Sequence, residues 1–179
     1  SIFGKLIEIN RSSKKYKILS MGHRNPQGLY FNFDKNILIA TEHSAQGGDE
    51  ININYSIEND EIKNYGWPIS SYGEHYDYNP DDKLKKLYEI APLNKSHTEF
   101  GFVEPIKYYD LNSRGPGVIK KLNKNFSNLG DNQYMVSLMG SRQLHHMIFN
   151  DEHTKILEND ILKFGGKETD YKHRVRDII

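Results

Sequence analysis

The chain has 179 residues, about the size of one ordinary domain, with 24 Lys and Arg balanced by 24 Asp and Glu. That balance offers no global field for a polyanion, which excludes a general nucleic-acid binder, and the lack of cysteine excludes disulfides, thiolate zinc sites and a cysteine nucleophile. Mean hydropathy is −0.75 and apolar runs stop at a few residues, such as 37–40 (ILIA), so no helical membrane span and no opening signal-peptide core is present in the sequence.

In chain order, residues 4–9 (GKLIEI) alternate apolar and polar as a strand does, and 11–15 (RSSKK) make a polar turn. Residues 16–21 (YKILSM), 28–33 (GLYFNF), 36–41 (NILIAT) and 50–54 (EININ) read as further strands. Residues 64–82 hold Gly66, Trp67, Pro68, Gly73 and Pro80 among many rings and read as a long structured loop of functional type. Residues 81–90 suit one short helix. Strands resume at 105–109, 118–122, 133–138 (QYMVSL), 143–149 (QLHHMIF) and 156–164. Short strands about every 10–12 residues with turns between them predict an all-β fold, a sandwich, barrel or propeller. Ser1 leads almost directly into the first strand, which predicts a piece of a longer protein.

Four clusters carry chemistry. Residues 22–28 (GHRNPQG) set Arg24 beside Asn25, with Pro26 holding Asn25 extended; the plainer reading is a turn whose Arg pairs with a surface carboxylate. Residues 41–52 place Glu42, His43, Asp49 and Glu50 around Gly47 and Gly48. Carboxylates and loop carbonyls suit a hard cation such as calcium, while Gly-Gly-Asp equally marks a hairpin turn. Residues 64–73 (NYGWPISSYG) form the third. In the fourth, 173–178 (HRVRDI), Arg174 and Arg176 would share one face of a strand and fit a multiply charged anion, or one of them pairs with Asp177. His145 and His146 are adjacent, so on a strand they face opposite ways and do not form one metal site.

GHRNPQGL, TEH..QGGDEIN, NYGWP..SYG and R.RD, in that order, resemble the glucose/sorbosone dehydrogenase family, soluble aldose dehydrogenases that use pyrroloquinoline quinone (PQQ). The resemblance runs over nearly the whole chain and treats 1–179 as one partial domain. It implies a six-bladed β-propeller of which this chain is roughly half, the middle to later blades. It implies that Arg24, Asn25, Arg174 and Arg176 bind PQQ, converging at one rim of the central channel. It also implies that the carbonyls of Ser44 and Ala45 bind a calcium ion acting on the quinone as a Lewis acid.

The implied reaction is hydride transfer from the anomeric carbon of an aldose to the quinone, with electrons passed to an external acceptor. The family's His base falls upstream of the matched region, so no catalytic residue is assigned here, and His23 and His43 are not that base. The implied location is periplasmic or secreted, and the chain by itself is not expected to be active. Ser44-Ala45 replaces a family Gly-Pro, Met139 stands where the family has lysine, and 110–117 (DLNSRGPG) replaces a family loop. These departures favour the alternative, a non-catalytic propeller that binds a glycan or a protein.

Overall fold

The computed structural model describes residues 2–55, 57–59, 61–76, 79–110, 112, 114–123, 130–162 and 174–179. Eleven strands form three sheets among them. The first sheet joins β1 (Lys5–Ile9), β2 (Tyr16–Met21) and β6 (Lys63–Asn64) in the order β1-β2-β6. The second joins β3 (Pro26–Asn32), β4 (Ile37–Glu42), β5 (Glu50–Asn54) and β7 (Lys107–Tyr108) in the order β3-β4-β5-β7. The third joins β8 (Pro116–Lys121), β9 (Gln133–Leu138), β10 (Gln143–Phe149) and β11 (Ile156–Ile161) in the order β11-β10-β9-β8.

The second and third sheets are four-stranded and antiparallel throughout, as propeller blades are. The first departs from that pattern. Its third strand, β6, comes back from the long excursion after β5 and pairs with β2 in parallel, Ser20 opposite Lys63 and Met21 opposite Asn64. The expected strand at 156–164 is seen as far as Ile161; Lys163 and Phe164 lie outside the described residues.

The period of two along each strand sorts the side chains. On β5, Ile51 and Ile53 face the third sheet and join Ile37 and Ile39 of β4. They pack against Ile119, Tyr134, Val136, Leu138, Met147 and Phe149, which makes the main core a two-sheet sandwich of branched and aromatic side chains. Glu42, Glu50, Asn52 and Asn54 are also buried, on the opposite face of the second sheet. β4 is buried along its full length, which explains its nearly unbroken apolar run.

The two large sheets meet along β3 and β8. Gly28 donates its N–H to Thr41 Oγ1 at 2.9 Å, and the Thr41 hydroxyl donates onward to the Gly117 carbonyl. A side chain on Gly28 would stand 2.2 Å from the Gly117 oxygen, so only glycine permits this approach.

The only α-helix among the described residues is α1 (Asp82–Ile90). Asp81 caps it by accepting from Leu84 N at 2.8 Å. None of its residues is buried. It is held to the preceding loop by the stack of Tyr88 on His75, with ring centres 3.6 Å apart. A 3-10 turn, Thr98–Phe100, in a stretch without a helical pattern, follows it.

Gly48 has φ +65°, and a Cβ there would lie 1.9 Å from Gly73 N. Gly101 has φ +73° with nothing within 4 Å. Gly48→Ala is therefore expected to lower unfolding stability by about 3 kcal/mol, from the left-handed backbone and the clash together. Gly101→Ala is expected to lose only about 1 kcal/mol. Urea denaturation of the two variants checks the difference.

Candidate functional site

The antiparallel register places Glu42 of β4 opposite Glu50 of β5. Two like charges directly across a buried ladder repel, and both side chains are almost fully enclosed. Three donors meet Glu42: His23 Nδ1 at 2.9 Å and Asn52 Nδ2 at 2.7 Å on Oε1, and the Arg24 backbone N–H at 2.8 Å on Oε2. The other ring nitrogen of His23 lies 2.7 Å from the Ser20 hydroxyl, and the ring stacks on Tyr65. Asn52 Nδ2 reaches Glu50 Oε2 as well, at 3.1 Å, so one amide bridges the two acids.

Glu50 has His97 as its second partner, with Nε2 3.4 Å from Oε1. Burial pushes the Glu50 carboxyl above the usual carboxylate range against the pull of His97, and the nearby Glu42 charge pushes the same way. Burial on its own would depress His97. Its contact with Glu50 and the charges of Glu50 and Glu104 outweigh burial and raise it. His97 also stacks on Tyr72, whose hydroxyl donates to Glu104 at 2.7 Å. Glu104 accepts the backbone N–H groups of His97 and Thr98. Burial would raise Glu104, but these hydrogen bonds, that from Tyr72 foremost, hold it below the usual range.

Asp49 fixes the adjoining loop. One oxygen accepts from Ser44 N at 3.1 Å, the other from Arg114 N and Gly115 N at 2.8 Å each. Ser44 Oγ bonds Ser71 Oγ, which ties the 44–48 turn to the long loop. Ser44 and Ala45 are both buried, and among the described residues no N–H or O–H donates to either carbonyl. The carboxylates of this loop do not gather around a common point; Glu42, Asp49 and Glu50 are each committed to protein donors. Among the described residues no group of three acids or histidines is placed to hold a metal ion. A cation here would have to rest on carbonyls.

Arg24 projects from this platform. Its guanidinium donates to the His43 carbonyl at 3.1 Å and to the Tyr76 hydroxyl at 3.2 Å. It lies 5.3 Å from the centre of the Trp67 ring and 5.7 Å from that of Tyr76. No described carboxylate pairs with it, so the ordinary surface ion pair is not what occupies this turn. Asn25 is exposed beside it and accepts from Gln27 Nε2. A narrow cleft with space for about a single water lies between Arg24, Trp67, Ser44 and the two acids.

Arg174 and Arg176 are exposed on the stretch 174–179, which has neither strand nor helix, so the shared strand face does not form there. That stretch touches β8 where Lys120 Nζ donates to the Ile178 carbonyl. Asp177 accepts the neighbouring Ile178 N–H, and among the described contacts none joins either arginine to Asp177 or to Arg24. His173 lies outside the described residues. His145 bonds Asn159 and His146 bonds Gln133, on opposite faces of β10, as adjacency requires. His43 Nε2 lies 3.1 Å from the Pro116 carbonyl, and Met139 packs beside Gly117. Sequence reasoning missed His97, Tyr76 and the partner role of Trp67, because nothing local marks a residue whose partner is 40 or more positions away in sequence.

Three sheets, two of them four-stranded and antiparallel throughout, define a segment of a β-propeller. The Glucose / Sorbosone dehydrogenase family model matches residues 7–179, and the chain belongs to that family. Over 68 residues it is 44% identical to Aldose sugar dehydrogenase YliI of Escherichia coli (strain K12), which is 38% of this chain and 17% of that protein. Among solved structures, the soluble aldose sugar dehydrogenase of Escherichia coli in its apo form superposes with a TM-score of 0.64 at 26% identity, over 88% of this chain and 44% of that one. The PQQ-bound aldose sugar dehydrogenase of Streptomyces coelicolor shares the fold, with a TM-score of 0.61 at 19% identity over 98% of this chain and 42% of that one. The chain thus spans less than half the length of the structures it matches, in keeping with roughly half a propeller.

Against the pull of burial, His97 is raised on folding by its contact with Glu50 and by the Glu50 and Glu104 charges, so the native state holds its proton more tightly than the unfolded chain as pH climbs past the ordinary histidine range. The stabilisation from His97 is fully present below about pH 6.5 and is lost as pH rises through its folded value, whereas that from Glu50, also raised, is fully present only below about pH 4.5 and is lost as pH rises through its own. His145 and His153 are lowered by burial and act in the opposite sense, but below that range. Unfolding free energy measured from pH 6.5 to 8.5 is expected to fall, and Glu50→Gln is expected to flatten the slope.

Proposed function

We propose that the chain is part of a PQQ-dependent aldose sugar dehydrogenase. The observation that carries this reading is Arg24, a partly buried guanidinium with aromatic rings and neutral acceptors around it and no described carboxylate partner. Arginine carries five N–H donors in a rigid fork, and two are committed here. The rest suit a planar anion such as a tricarboxylate quinone. Family membership and the name of the Escherichia coli relative support the same reading.

Arg24 and Asn25 would hold the cofactor from this side of the ring, and Arg174 and Arg176 from another blade. The Ser44 and Ala45 carbonyls are the available hard ligands for calcium. When bound, PQQ supplies the hydride acceptor for the anomeric carbon of an aldose, and an external acceptor then takes the electrons. The residues of this chain orient and neutralise: Glu42 fixes the Arg24 backbone, His43 and Tyr76 fix its side chain, and the positive charge favours reduction of an anion. The proton of the sugar hydroxyl is not handled by His23, since both of its ring nitrogens are engaged within the buried network. A periplasmic or secreted location goes with this chemistry.

Calorimetric titration of the full-length apo protein with PQQ is expected to show binding that requires calcium. Arg24→Ala, Arg174→Ala and Arg176→Ala are each expected to weaken it, by two to three decades where the lost guanidinium faces a desolvated carboxylate, a cost of about 3–5 kcal/mol. Failure to bind with or without calcium would retire the dehydrogenase reading and leave a propeller that binds a glycan or protein.

A further inference from the structure

Arg24 is gripped by residues that lie far from it in sequence. Its backbone rests on Glu42, one arm of its fork on the His43 carbonyl, and the other arm on the Tyr76 hydroxyl. The guanidinium carbon stands within cation–π range of both Trp67 and Tyr76. The Trp67 backbone is tied to the same turn, since its amide N–H donates to the Gly22 carbonyl at 3.0 Å. Tyr76 differs from the other members of the grip. It is 65% exposed, and its ring stands over Arg24 while its hydroxyl accepts from the same side chain. Its neighbour His75 is anchored by the stack on Tyr88 and by the bond from Nε2 to the Ala91 carbonyl at 2.8 Å. So much exposed aromatic surface is not explained by core packing, and every described interaction of Tyr76 is with Arg24.

We propose that Tyr76 is a positioning residue, which locks the plane of the Arg24 guanidinium so that its uncommitted N–H groups present as a flat fork to an anionic ligand. This rests on the reading of Arg24 as a cofactor-facing residue. An arginine side chain is rich in rotamers, and part of that freedom is lost when it closes on a ligand. Tyr76 removes some of that freedom before the ligand arrives, which is preorganisation. The hydroxyl fixes rotation of the fork and the ring face fixes its height, so the two contributions are separable by substitution. Tyr76→Phe deletes the hydrogen bond alone, and Tyr76→Ala deletes both.

The test uses the full-length protein and two readouts. Side-chain nitrogen NMR of the apo protein, with the Arg24 signals assigned by Arg24→Lys, reports rotation of the guanidinium without any cofactor. Separate terminal nitrogen signals are expected in the wild type, broadened signals in Tyr76→Phe and averaged signals in Tyr76→Ala. PQQ affinity with calcium is expected to fall about threefold in Tyr76→Phe and about tenfold in Tyr76→Ala, with the apo melting temperature unchanged. Identical Arg24 spectra in wild type and Tyr76→Ala, or identical affinities, would overturn the proposal while leaving the cofactor reading intact. Should the wild type fail to bind PQQ, the cofactor reading falls, and the spectra alone decide: averaging in Tyr76→Ala upholds the positioning role and no change overturns it. If Tyr76→Ala fails to fold, the milder Tyr76→Phe supplies the same comparison.

Discussion

A single buried carboxylate organises the site. Glu42 closes β4 at the point where the second sheet meets the 22–28 turn, and its two oxygens take three donors from two segments: the turn itself through His23 and the Arg24 amide, and β5 through Asn52. An enclosed carboxylate without such partners would be strongly disfavoured. Once it is satisfied, the turn cannot move independently of the sheet, and Arg24 leaves the backbone in one direction. The neighbouring Glu50 repeats the device with His97, and Asn52 stands between the two acids. The polar layer on this face of the second sheet thereby does for the 22–28 turn what the apolar core does for the third sheet on the opposite face.

The long excursion between β5 and β7 completes the arrangement. It returns to the first sheet as β6, supplies Trp67 beside Arg24, ties to the 44–48 turn through Ser71, and ends with Glu104 drawing in the backbone of His97. Asp49 extends the same logic to the third sheet by accepting the amides of Arg114 and Gly115. Backbone positions around Arg24 are thereby set by buried acids, while its partly buried guanidinium has no carboxylate partner among the described residues.

Strand boundaries were legible because period-two patterns act locally. The segments 16–21, 50–54, 133–138 and 143–149 coincide with β2, β5, β9 and β10, and the short helix expected at 81–90 is α1. The parallel β2–β6 pair was not legible, since two residues, Lys63 and Asn64, carry no strand pattern. At the site, Arg24 was marked by its motif, but its setting was not. An acidic loop around Gly47 and Gly48 looks the same in sequence whether its carboxylates collect a cation or, as here, bond buried histidines and amides. Tyr76 and His97 sit in an irregular stretch, where side-chain direction follows from tertiary contacts and not from any period.

The dependence of the 22–28 turn on Glu42 is open to one direct measurement, native-state amide hydrogen exchange in wild type and Glu42→Gln. A carboxylate accepts on both oxygens, whereas a glutamine amide must turn an N–H₂ either toward the Arg24 amide or toward His23 and Asn52, setting donor against donor. The account predicts that exchange at Arg24 accelerates by at least tenfold in Glu42→Gln while the amides of β9 and β10 keep their protection. Equal exchange at Arg24 in the two proteins would contradict it, since the turn would then be held by something other than the buried acid.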